Sequence, residues 1–405
     1  MHELTGVPPR TGSPVLDDGR WPSLSLVNDV TFSVESSTVG VKILVSLGGK
    51  VQPMPALWLR EQARDASQLD HASDQRLFDP HQLPLDLEIV DARIDPTHVW
   101  ARFSDGHQES FACDGLALAI DPDDGCPEPV AWTAALGGPP RHEWRRLDDP
   151  AGLEAALHDF LVYGTIIVHD APTAENTVLE VAARFGYVRE TNFGRLFDVR
   201  SVPQSNDLAY RAVALGPHTD NPYREPTPGI QLLHCLVNES TGGLSTLVDA
   251  IAVTDQLRDE DPEGLDLLID TFVRFHFRDY DTALDSQRPM VAVDHKRRVI
   301  GLRYSPRVDH IPLMSVEQTQ VFHRARRRLA ELLADPAFEI RFLLQAGEAM
   351  VFSNDRVLHG RTGFDPQEGL RHLQGCYIDH DAPRSRYQVL RRNLTRSLVS
   401  RTQEG

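Results

Sequence analysis

Hydrophobic spacing divides the chain into a front part of short strand-like runs and a longer part that mixes helices with strands. Before about residue 120, alternating or apolar runs such as "VKILVSL", "ALWLR" and "QESFACDGLALAI" are separated by turn residues, a pattern typical of short strands. We interpret residues 29–125 as a small β-rich domain and residues 1–28 as a flexible extension rich in Pro, Gly and Ser. A Pro- and Gly-rich joint covers residues 121–143.

The remaining segment, residues 140–395, contains both helical and strand-like patterns. Leu153 and Leu157 recur at helical spacing after an aspartate, and the nearby "TIIVHD" is typical of a buried strand. Ser315 and Gln318 have the spacing of a capping box ahead of a long amphipathic stretch. Helices that flank many strands predict an α+β fold for this segment.

Composition limits the classes of function. The chain has 405 residues with 41% apolar and 25% charged content, which is ordinary for a globular protein. No apolar run has the length of a membrane span, and the N-terminal stretch lacks a signal-peptide pattern, so we expect no membrane partner. A net charge of −18 argues against nucleic acid as a partner. Four cysteines without a CxxC motif favour reduced thiols in a cytoplasmic protein.

The candidate chemistry lies in "GPHTDNPY" and "VLHGRTGF". His218 and Asp220 form a His-x-Asp pair, and on an extended segment alternate side chains share one face. With His359 they supply two imidazoles and a carboxylate, a set that leaves part of an Fe(II) ion open to other ligands. Arg371 follows twelve positions after His359, and its fixed charge suits a carboxylate. The pattern predicts an oxygenase that uses Fe(II), 2-oxoglutarate and dioxygen, on a double-stranded β-helix, or jelly roll.

Two other classes of function remain open. With 17 His and 59 Asp plus Glu, a His-x-Asp triplet also arises by chance. If the triplet occurs here by chance, the chain is a catalytically silent binding homologue. The complete triad and Arg371 argue against this alternative. A non-redox hydrolase with another divalent metal is the second alternative, and the spacing of Arg371 argues against it.

The segments "HTDNPYREPTPGIQLLHCL", "VFSNDRVLHGRTGF" and "RHLQGCYIDHD" resemble the γ-butyrobetaine and trimethyllysine dioxygenase family, within the taurine-dioxygenase-like Fe(II)/2-oxoglutarate enzymes. The resemblance covers about residues 40–390. It implies that His218, Asp220 and His359 bind iron and that Arg371 binds the far carboxylate of 2-oxoglutarate. The same resemblance implies a homodimer, and a hydroxyl near that carboxylate from the side chain at position 245, which is Ser245.

The resemblance also implies an aromatic cage for a quaternary ammonium group, which cation–π attraction would hold. Its members here are Tyr210, Tyr377, Phe193 and Phe197. The two phenylalanines stand where the γ-butyrobetaine enzymes have a tyrosine and a tryptophan, and phenylalanine is the weaker cation–π partner. Packing in the hydrophobic core is the alternative role for all four.

The chain departs from the family at three places. The family's zinc cysteines are missing after "WLRE", and His107 alone cannot hold zinc, so we expect no structural zinc. Asp207 stands where the family has an asparagine that contacts the substrate carboxylate, and an ionised aspartate only accepts hydrogen bonds. Ser305 lies in "GLRYSPRVDH", where the family has an Asn-Asn pair, with Arg303 and Arg307 beside it.

The implied substrate is a small zwitterion with a quaternary-ammonium head, γ-butyrobetaine or a near relative, hydroxylated at an unactivated C–H bond. The changes at the anion-binding end of the pocket leave two further candidates open. One is a betaine phosphonate, and the other is a biosynthetic intermediate that is hydroxylated or desaturated.

Overall fold

The computed structural model describes residues 24–25, 30–37, 40–122, 124–200, 214–365 and 367–403. Contacts within the chain divide it into two compact units, Met1–Asp124 and Gly125–Gly405. Among the described residues, no helix combines the length and the apolar character that a membrane crossing requires.

Antiparallel strands build most of the first unit, in a sheet of β1–β4 and a sheet of β7–β9. Side chains from both sheets, among them Phe32, Val99 and Phe103, form one buried core with Leu59. The elements are β1 (Leu24–Ser25), β2 (Thr31–Ser37), β3 (Gly40–Leu47), β4 (Lys50–Pro53), α1 (Ala56–Glu61), β5 (Leu69–Asp70), β6 (Gln75–Arg76), β7 (Ile89–Ile94), β8 (His98–Phe103), β9 (Gln108–Ala112) and α2 (Cys113–Ile120).

Two segments of this unit that were expected to be strands are helical. The run "ALWLR" forms α1, which starts after Pro55 and buries Leu59 and Arg60. The second half of "QESFACDGLALAI" forms α2, which buries Leu116 and Ala117. Both runs are rich in Ala and Leu, which favour helix, and contain few β-branched residues. Their short apolar spacing does not separate a buried strand from a short helix.

The second unit contains six α-helices and sixteen strands among its described residues. The helices are α3 (Pro150–Tyr163), α4 (Thr177–Phe185), α5 (Ala250–Glu260), α6 (Pro262–Asp270), α7 (Val316–Leu333) and α8 (Asp381–Gln403). The strands are β10 (Arg141–Glu143), β11 (Thr165–His169), β12 (Val188–Arg189), β13 (Phe197–Arg200), β14 (Leu215–His218), β15 (Ile230–Asn238), β16 (Ser245–Asp249), β17 (Phe272–Arg278), β18 (Ala283–Pro289), β19 (Val291–Val293), β20 (Val299–Leu302), β21 (Asp309–His310), β22 (Glu339–Phe342), β23 (Ala349–Ser353), β24 (Val357–Arg361) and β25 (Arg371–Ile378).

Two sheets of this unit pack face to face. The larger has the strand order β10-β11-β23-β15-β25-β12, with β13 also paired to β25, and the smaller has the order β14-β24-β16-β22. Ile167, Cys235 and Phe352 of the larger sheet share a buried core with Leu247 and Ile340 of the smaller one. Helices α3 and α4 pack on the larger sheet through a second core. This architecture confirms the predicted jelly roll with flanking helices.

The helix starts that the sequence predicted are confirmed in atomic detail. Asp149 caps α3 by accepting a hydrogen bond from the Gly152 backbone N–H. Ser315 and Gln318 form the reciprocal capping box of α7. These local signals fix where the helices begin because they satisfy backbone N–H groups that the first helical turn leaves open.

Candidate metal and co-substrate site

Two adjacent strands of the smaller sheet bring three candidate metal ligands together. His218 ends β14 and lies directly opposite His359 of β24, with 4.4 Å between the ring centroids. Nε2 of His218 is 3.2 Å from Oδ1 of Asp220, and Nε2 of His359 is 3.9 Å from Oδ2 of Asp220. One ligand atom from each residue lies within 4.8 Å of the others. This donor set, two imidazoles and a carboxylate, fits an Fe(II) ion.

Asp220 reaches the site by a different route from the one expected. It lies beyond the end of β14, and the next residue, Asn221, has a left-handed φ of 51°. Asn354 holds this bend, because its Oδ1 accepts from the Asp220 N–H at 2.8 Å and its Nδ2 donates to the Asp220 carbonyl at 2.9 Å. Strand alternation therefore positions His218, while a bend pinned by a buried amide positions Asp220.

The charges of the site match what metal binding requires. Burial by itself would raise the pKa of Asp220, but His359, His218 and Tyr377 together lower it below its usual range. Burial, followed by the neighbouring His218, lowers the pKa of His359 to about 3. Nδ1 of His218 lies 3.0 Å from the Gly216 carbonyl, which leaves Nε2 facing the other ligands. The lowered pKa values favour a neutral His359 and an ionised Asp220, the forms that bind metal.

A chain of hydrogen bonds supports the carboxylate ligand. The Tyr377 hydroxyl donates to Oδ2 of Asp220 at 3.0 Å and accepts from Nδ2 of Asn221 at 3.0 Å. The Tyr223 hydroxyl in turn donates to Oδ1 of Asn221. Sequence reasoning assigned Tyr377 to the cage alone and missed Asn221 and Tyr223, although both follow the His-x-Asp pair in "HTDNPY". The Tyr377 hydroxyl is engaged with the ligand, so only its ring faces remain for a substrate.

Replacing Tyr377 with phenylalanine is expected to weaken iron binding and turnover by about 10–100-fold, the usual effect of losing a group that orients a metal ligand. The variant keeps the ring but leaves Asp220 Oδ2 without this donor. Iron titration and the rate of succinate formation measure the effect. Tyr387→Phe, at a buried tyrosine of α8, is the matched control and should bind iron normally. Wild-type iron affinity in the Tyr377 variant would contradict this role.

Two further predicted residues begin strands, one in each of the two sheets. Ser245 begins β16 and Arg371 begins β25, and both are buried, at 5% and 8% exposure. Nε of Arg371 has no hydrogen-bond partner within the described part of the chain, and burial lowers the pKa of this guanidinium. A buried cation is costly unless an anion pairs with it. The environment of Arg371 therefore suits an anionic ligand.

Arg361, which sequence reasoning did not assign, lies beside Arg371. It is the last residue of β24, it is buried, and its partner across the ladder is Ser245. The guanidinium of Arg361 is 5.0 Å from the ring centroid of Phe364, and that of Arg371 is 5.6 Å from the same centroid. Burial, followed by the charge of Arg371, lowers the pKa of Arg361 to about 10. Arg361 lies two positions after His359 on the same strand, and residues at this spacing share one face. This spacing is the sequence signal that could have identified Arg361.

Two of the predicted cage residues meet. The rings of Phe197 and Tyr377 have centroids 5.2 Å apart, and Phe197 pairs with Gly375 across the ladder. A Cβ at Gly375 would approach the Phe197 ring to 2.5 Å, so glycine is what lets this ring lie on β25. Tyr210 falls outside the described residues.

Phe193 has different neighbours. Its ring centroid is 6.5 Å from that of Phe277, and the guanidinium of Arg224 lies 5.9 Å from it. Arg224 also donates to Oδ1 of Asn192. A protein cation therefore already lies against Phe193, and the described contacts do not join this ring to Phe197 and Tyr377.

The segment around Ser305, which departs from the family pattern, is hydrogen-bonded to the loop that carries His218 and Asp220. Thr219, between the two ligands, donates its N–H to the Tyr304 carbonyl at 2.8 Å, and its hydroxyl donates to the Leu302 carbonyl at 2.7 Å. Ser305 is buried at 4% exposure. Nη1 of Arg303 donates to the Pro289 carbonyl at 3.4 Å. Asp207, the other predicted residue at this end of the pocket, falls outside the described residues.

In the region where the family has its zinc cysteines, the residues of this chain make packing contacts and hydrogen bonds within the protein. Ala63 packs into the core of the first unit at 2% exposure. Nε2 of His107 lies 3.1 Å from Oε2 of Glu109, and Oε1 of Glu109 accepts from the Arg64 backbone N–H at 2.7 Å. Within the described ranges, the only group of three or more His, Cys, Asp or Glu with metal-binding spacing is that of His218, Asp220 and His359. The absence of zinc stays a prediction.

Comparison with known proteins agrees with this geometry. Residues 131–377 match the model of the "Taurine catabolism dioxygenase TauD, TfdA family". The γ-butyrobetaine dioxygenase of Pseudomonas sp. (strain AK-1) is 33% identical over 353 residues, covering 85% of this chain and 92% of the relative. The mitochondrial trimethyllysine dioxygenase of Bos taurus is 29% identical, covering 80% of each chain.

A solved structure of an asparagine oxygenase with Fe(II), 3-hydroxyasparagine and succinate aligns over 62% of this chain and 80% of its own, at 18% identity and a TM-score of 0.46. The family model matches more than half of the chain, and the Pseudomonas relative aligns with 85% of it. This chain therefore belongs to the taurine catabolism dioxygenase TauD, TfdA family.

Proposed function

We propose that this dioxygenase uses Fe(II), 2-oxoglutarate and dioxygen to hydroxylate an unactivated C–H bond of a small zwitterion with a quaternary ammonium group, such as γ-butyrobetaine. The observation that carries the proposal is the grouping of His218, Asp220 and His359 within one core, with the buried cation of Arg371 in the same jelly roll. The name of the Pseudomonas relative supports the substrate class.

Each residue has a defined task in this proposal. His218, Asp220 and His359 hold the metal, and Asn354 and Tyr377 fix the carboxylate. Iron with 2-oxoglutarate and dioxygen supplies the oxidising chemistry, while the protein supplies orientation and a water-poor site.

The binding of 2-oxoglutarate is assigned to Arg371 and Ser245. Arg371 receives the far carboxylate of 2-oxoglutarate, since its Nε is buried and open to an acceptor, and Ser245 begins β16 of the smaller sheet. A charge-assisted, two-point pairing of guanidinium with carboxylate is strong and directional. This end therefore sets the position of the co-substrate relative to the metal.

The ammonium head of the substrate is placed against Phe197 and Tyr377. Their rings are tilted by 33° to one another, which offers π faces to a cation, while the Tyr377 hydroxyl remains bonded to Asp220. Phe193 makes the poorer site, because Arg224 already lies over its ring and two cations there would repel. Tyr210 is proposed as a further cage member on the resemblance alone.

The second candidate substrate is a betaine phosphonate or a biosynthetic intermediate, hydroxylated or desaturated. The observation that favours it concerns Ser305 and Arg307, at the end of the pocket where the substrate anion is expected to bind. Ser305 is buried beside the metal-binding loop, and the charge of Arg307 is close enough to influence His359. A cationic group at this position suits an anion of larger charge than a carboxylate.

A substrate panel tests the proposed function. Purified protein with Fe(II), ascorbate and 2-oxoglutarate is supplied with γ-butyrobetaine, trimethyllysine or a trimethylammonium phosphonate, and both succinate and oxidised substrate are quantified. We expect at least one betaine to stimulate succinate release, with an equal amount of oxidised product. Iron binding and 2-oxoglutarate binding without turnover of any compound in the panel would favour the silent binding homologue.

Replacing Asp207 with asparagine is expected to lower the KM for γ-butyrobetaine. The reason is that an ionised aspartate repels a substrate carboxylate, whereas an asparagine amide donates to it. Asp105→Asn, at an aspartate of the first unit that pairs with Arg60, controls for a general charge effect. An unchanged KM in the Asp207 variant would show that this carboxylate does not contact the substrate anion.

Three organisational features are also proposed. The chain forms a homodimer, which light scattering of the purified protein tests, and it resides in the cytoplasm, which fractionation of the source cells tests. A β-rich domain over residues 29–125 precedes a catalytic domain over residues 140–395, so separately expressed 140–395 should bind iron if the catalytic unit folds alone.

A further inference from the structure

We propose that Arg224 binds the anionic group of the zwitterionic substrate, and that this contact makes the enzyme prefer such zwitterions over ammonium compounds without a carboxylate or phosphonate. The inference rests on the proposed function, because it names the residue that recognises the second charged end of that substrate. An ionised Asp207 can only accept hydrogen bonds, so the substrate anion requires a donor elsewhere in the pocket. Sequence reasoning did not assign Arg224.

Arg224 closes the loop that carries the carboxylate ligand of the metal. It lies four positions after Asp220, and its backbone N–H donates to the Asn221 carbonyl at 3.1 Å, which closes a turn. Nδ2 of Asn221 donates to the Tyr377 hydroxyl, and that hydroxyl donates to Asp220. The loop that ends in Arg224 is therefore anchored to Tyr377, one of the two rings proposed to hold the ammonium group.

The segment that joins β12 to β13 holds the guanidinium of Arg224. Asn192 accepts a hydrogen bond from Nη2 of Arg224, and the guanidinium lies 5.9 Å from the ring centroid of Phe193. The same segment leads directly into Phe197, the other ring proposed to hold the ammonium group, at the start of β13. Both strands pair with β25. One short segment thus supports Arg224 and supplies an ammonium-binding ring, which brings the two binding groups of a zwitterion together.

Arg189 adds positive charge near Arg224. It lies directly opposite Tyr377 across the β12–β25 ladder, and side chains in opposite positions share one face of a sheet. Asp379 pairs with Arg189 at 3.5 Å, so the protein itself holds Arg189 there. Burial lowers the pKa of Arg224 most, and the charge of Arg189 lowers it further. A nearby anion would offset both effects, so the electrostatics of Arg224 favour an anionic ligand.

The guanidinium of Arg224 retains donors for a substrate anion. A guanidinium has five N–H donors in a planar fork. Asn192 accepts from Nη2 of Arg224, and its Nε is buried without a hydrogen-bond partner among the described residues. Arg288 shows a filled fork, because its Nε and Nη2 lie 2.8 Å and 2.5 Å from the two carboxylate oxygens of Glu225. A substrate carboxylate or phosphonate would make the same two-point pairing with Arg224.

Calorimetric binding without turnover tests the proposal. Wild type, Arg224→Gln and Arg224→Lys are loaded with Fe(II) and 2-oxoglutarate in the absence of oxygen. Each is titrated with γ-butyrobetaine, with its phosphonate counterpart and with propyltrimethylammonium, which has no anionic group. We expect Arg224→Gln to weaken binding of the zwitterion that wild type prefers by about 10–100-fold, the size of a hydrogen bond to a charged group. Arg224→Lys, which keeps the charge but not the fork, should retain part of that affinity. Propyltrimethylammonium should bind all three proteins equally.

Arg288→Gln is the matched control, because Arg288 pairs with Glu225, the residue that follows Arg224; its affinity for all three compounds should equal that of wild type. Wild-type affinity for both zwitterions in Arg224→Gln would overturn the inference, and so would an equal loss for all three compounds. If Arg224→Gln fails to fold, Arg224→Lys decides the outcome, since a wild-type ratio of zwitterion to propyltrimethylammonium affinity would overturn the inference. Wild-type protein that binds none of the three compounds would instead refute the proposed substrate class.

Discussion

Replacing Asp220 with alanine is expected to abolish iron-dependent turnover of 2-oxoglutarate. The change removes the only carboxylate of the ligand set and the acceptor of the Tyr377 hydroxyl, and leaves His218 and His359 to hold the metal alone. Losing a group that merely orients a metal ligand costs about 10–100-fold, so losing the ligand itself should exceed that range. Iron content after dialysis and succinate formation measure the effect.

A matched control separates loss of the ligand from general damage to the fold. Asp285→Ala removes an exposed aspartate of the β17–β18 hairpin that pairs with Arg274, an ion pair of the surface type that contributes little to stability. This variant should keep full activity and iron content. An Asp220→Ala protein that retains iron and turns over 2-oxoglutarate would show that the metal lies elsewhere.

Replacing Arg371 with alanine should raise the KM for 2-oxoglutarate much more than it changes iron affinity. The variant removes a buried cation that is proposed to pair with the far carboxylate. Truncating one partner of a buried charge pair costs about 2–5 kcal/mol, which corresponds to about 30-fold or more in affinity. Steady-state kinetics with varied 2-oxoglutarate give its KM, and a separate series with varied iron gives the apparent iron affinity.

Arg200→Ala is a suitable control for the Arg371 variant. Arg200 is a half-exposed arginine of β13, the strand next to β25, and pairs with Glu175 at 3.5 Å. Its loss should leave both kinetic constants unchanged. If Arg371→Ala lowered iron affinity and 2-oxoglutarate affinity together, Arg371 would support the fold of the site and not the co-substrate.

The sequence predicted which three residues meet as candidate metal ligands, because their chemistry and spacing are distinctive, but it did not predict how Asp220 is positioned. Strand alternation accounts for His218. The carboxylate depends on the left-handed φ of Asn221 and on hydrogen bonds from Asn354, which lies 134 positions away. Such a long-range contact leaves no local pattern in a single sequence.

Arg361 and the Tyr377 hydroxyl show two other limits of the sequence. Arg361 carried a local signal, its spacing from His359 on a strand, but its approach to Phe364 and Arg371 depends on the path of the chain between β24 and β25. Tyr377 was predicted from the family resemblance as a cage residue, which describes its ring and not its hydroxyl. Its bond to Asp220 follows from the packing of β25 beside the metal-binding loop.

The fold was predicted where the signals act within a few residues, and it was missed for a short helix and for a pairing between distant segments. Capping signals placed the starts of α3 and α7 because they act within a few residues. The helix α1 was mistaken for a strand because six residues are too few for helical and strand spacing to differ. The pairing of β14 with β24 joins segments far apart in the chain and was not predicted; the sequence predicted only that the candidate ligands on them act together.

The most direct test of the account is the coupling of 2-oxoglutarate consumption to substrate oxidation by the purified, iron-loaded protein. We expect γ-butyrobetaine or another compound of the betaine panel to stimulate succinate release, with one oxidised substrate formed per succinate, and Asp220→Ala to form neither product. Iron-loaded wild-type protein that releases no succinate with any of these substrates would contradict it.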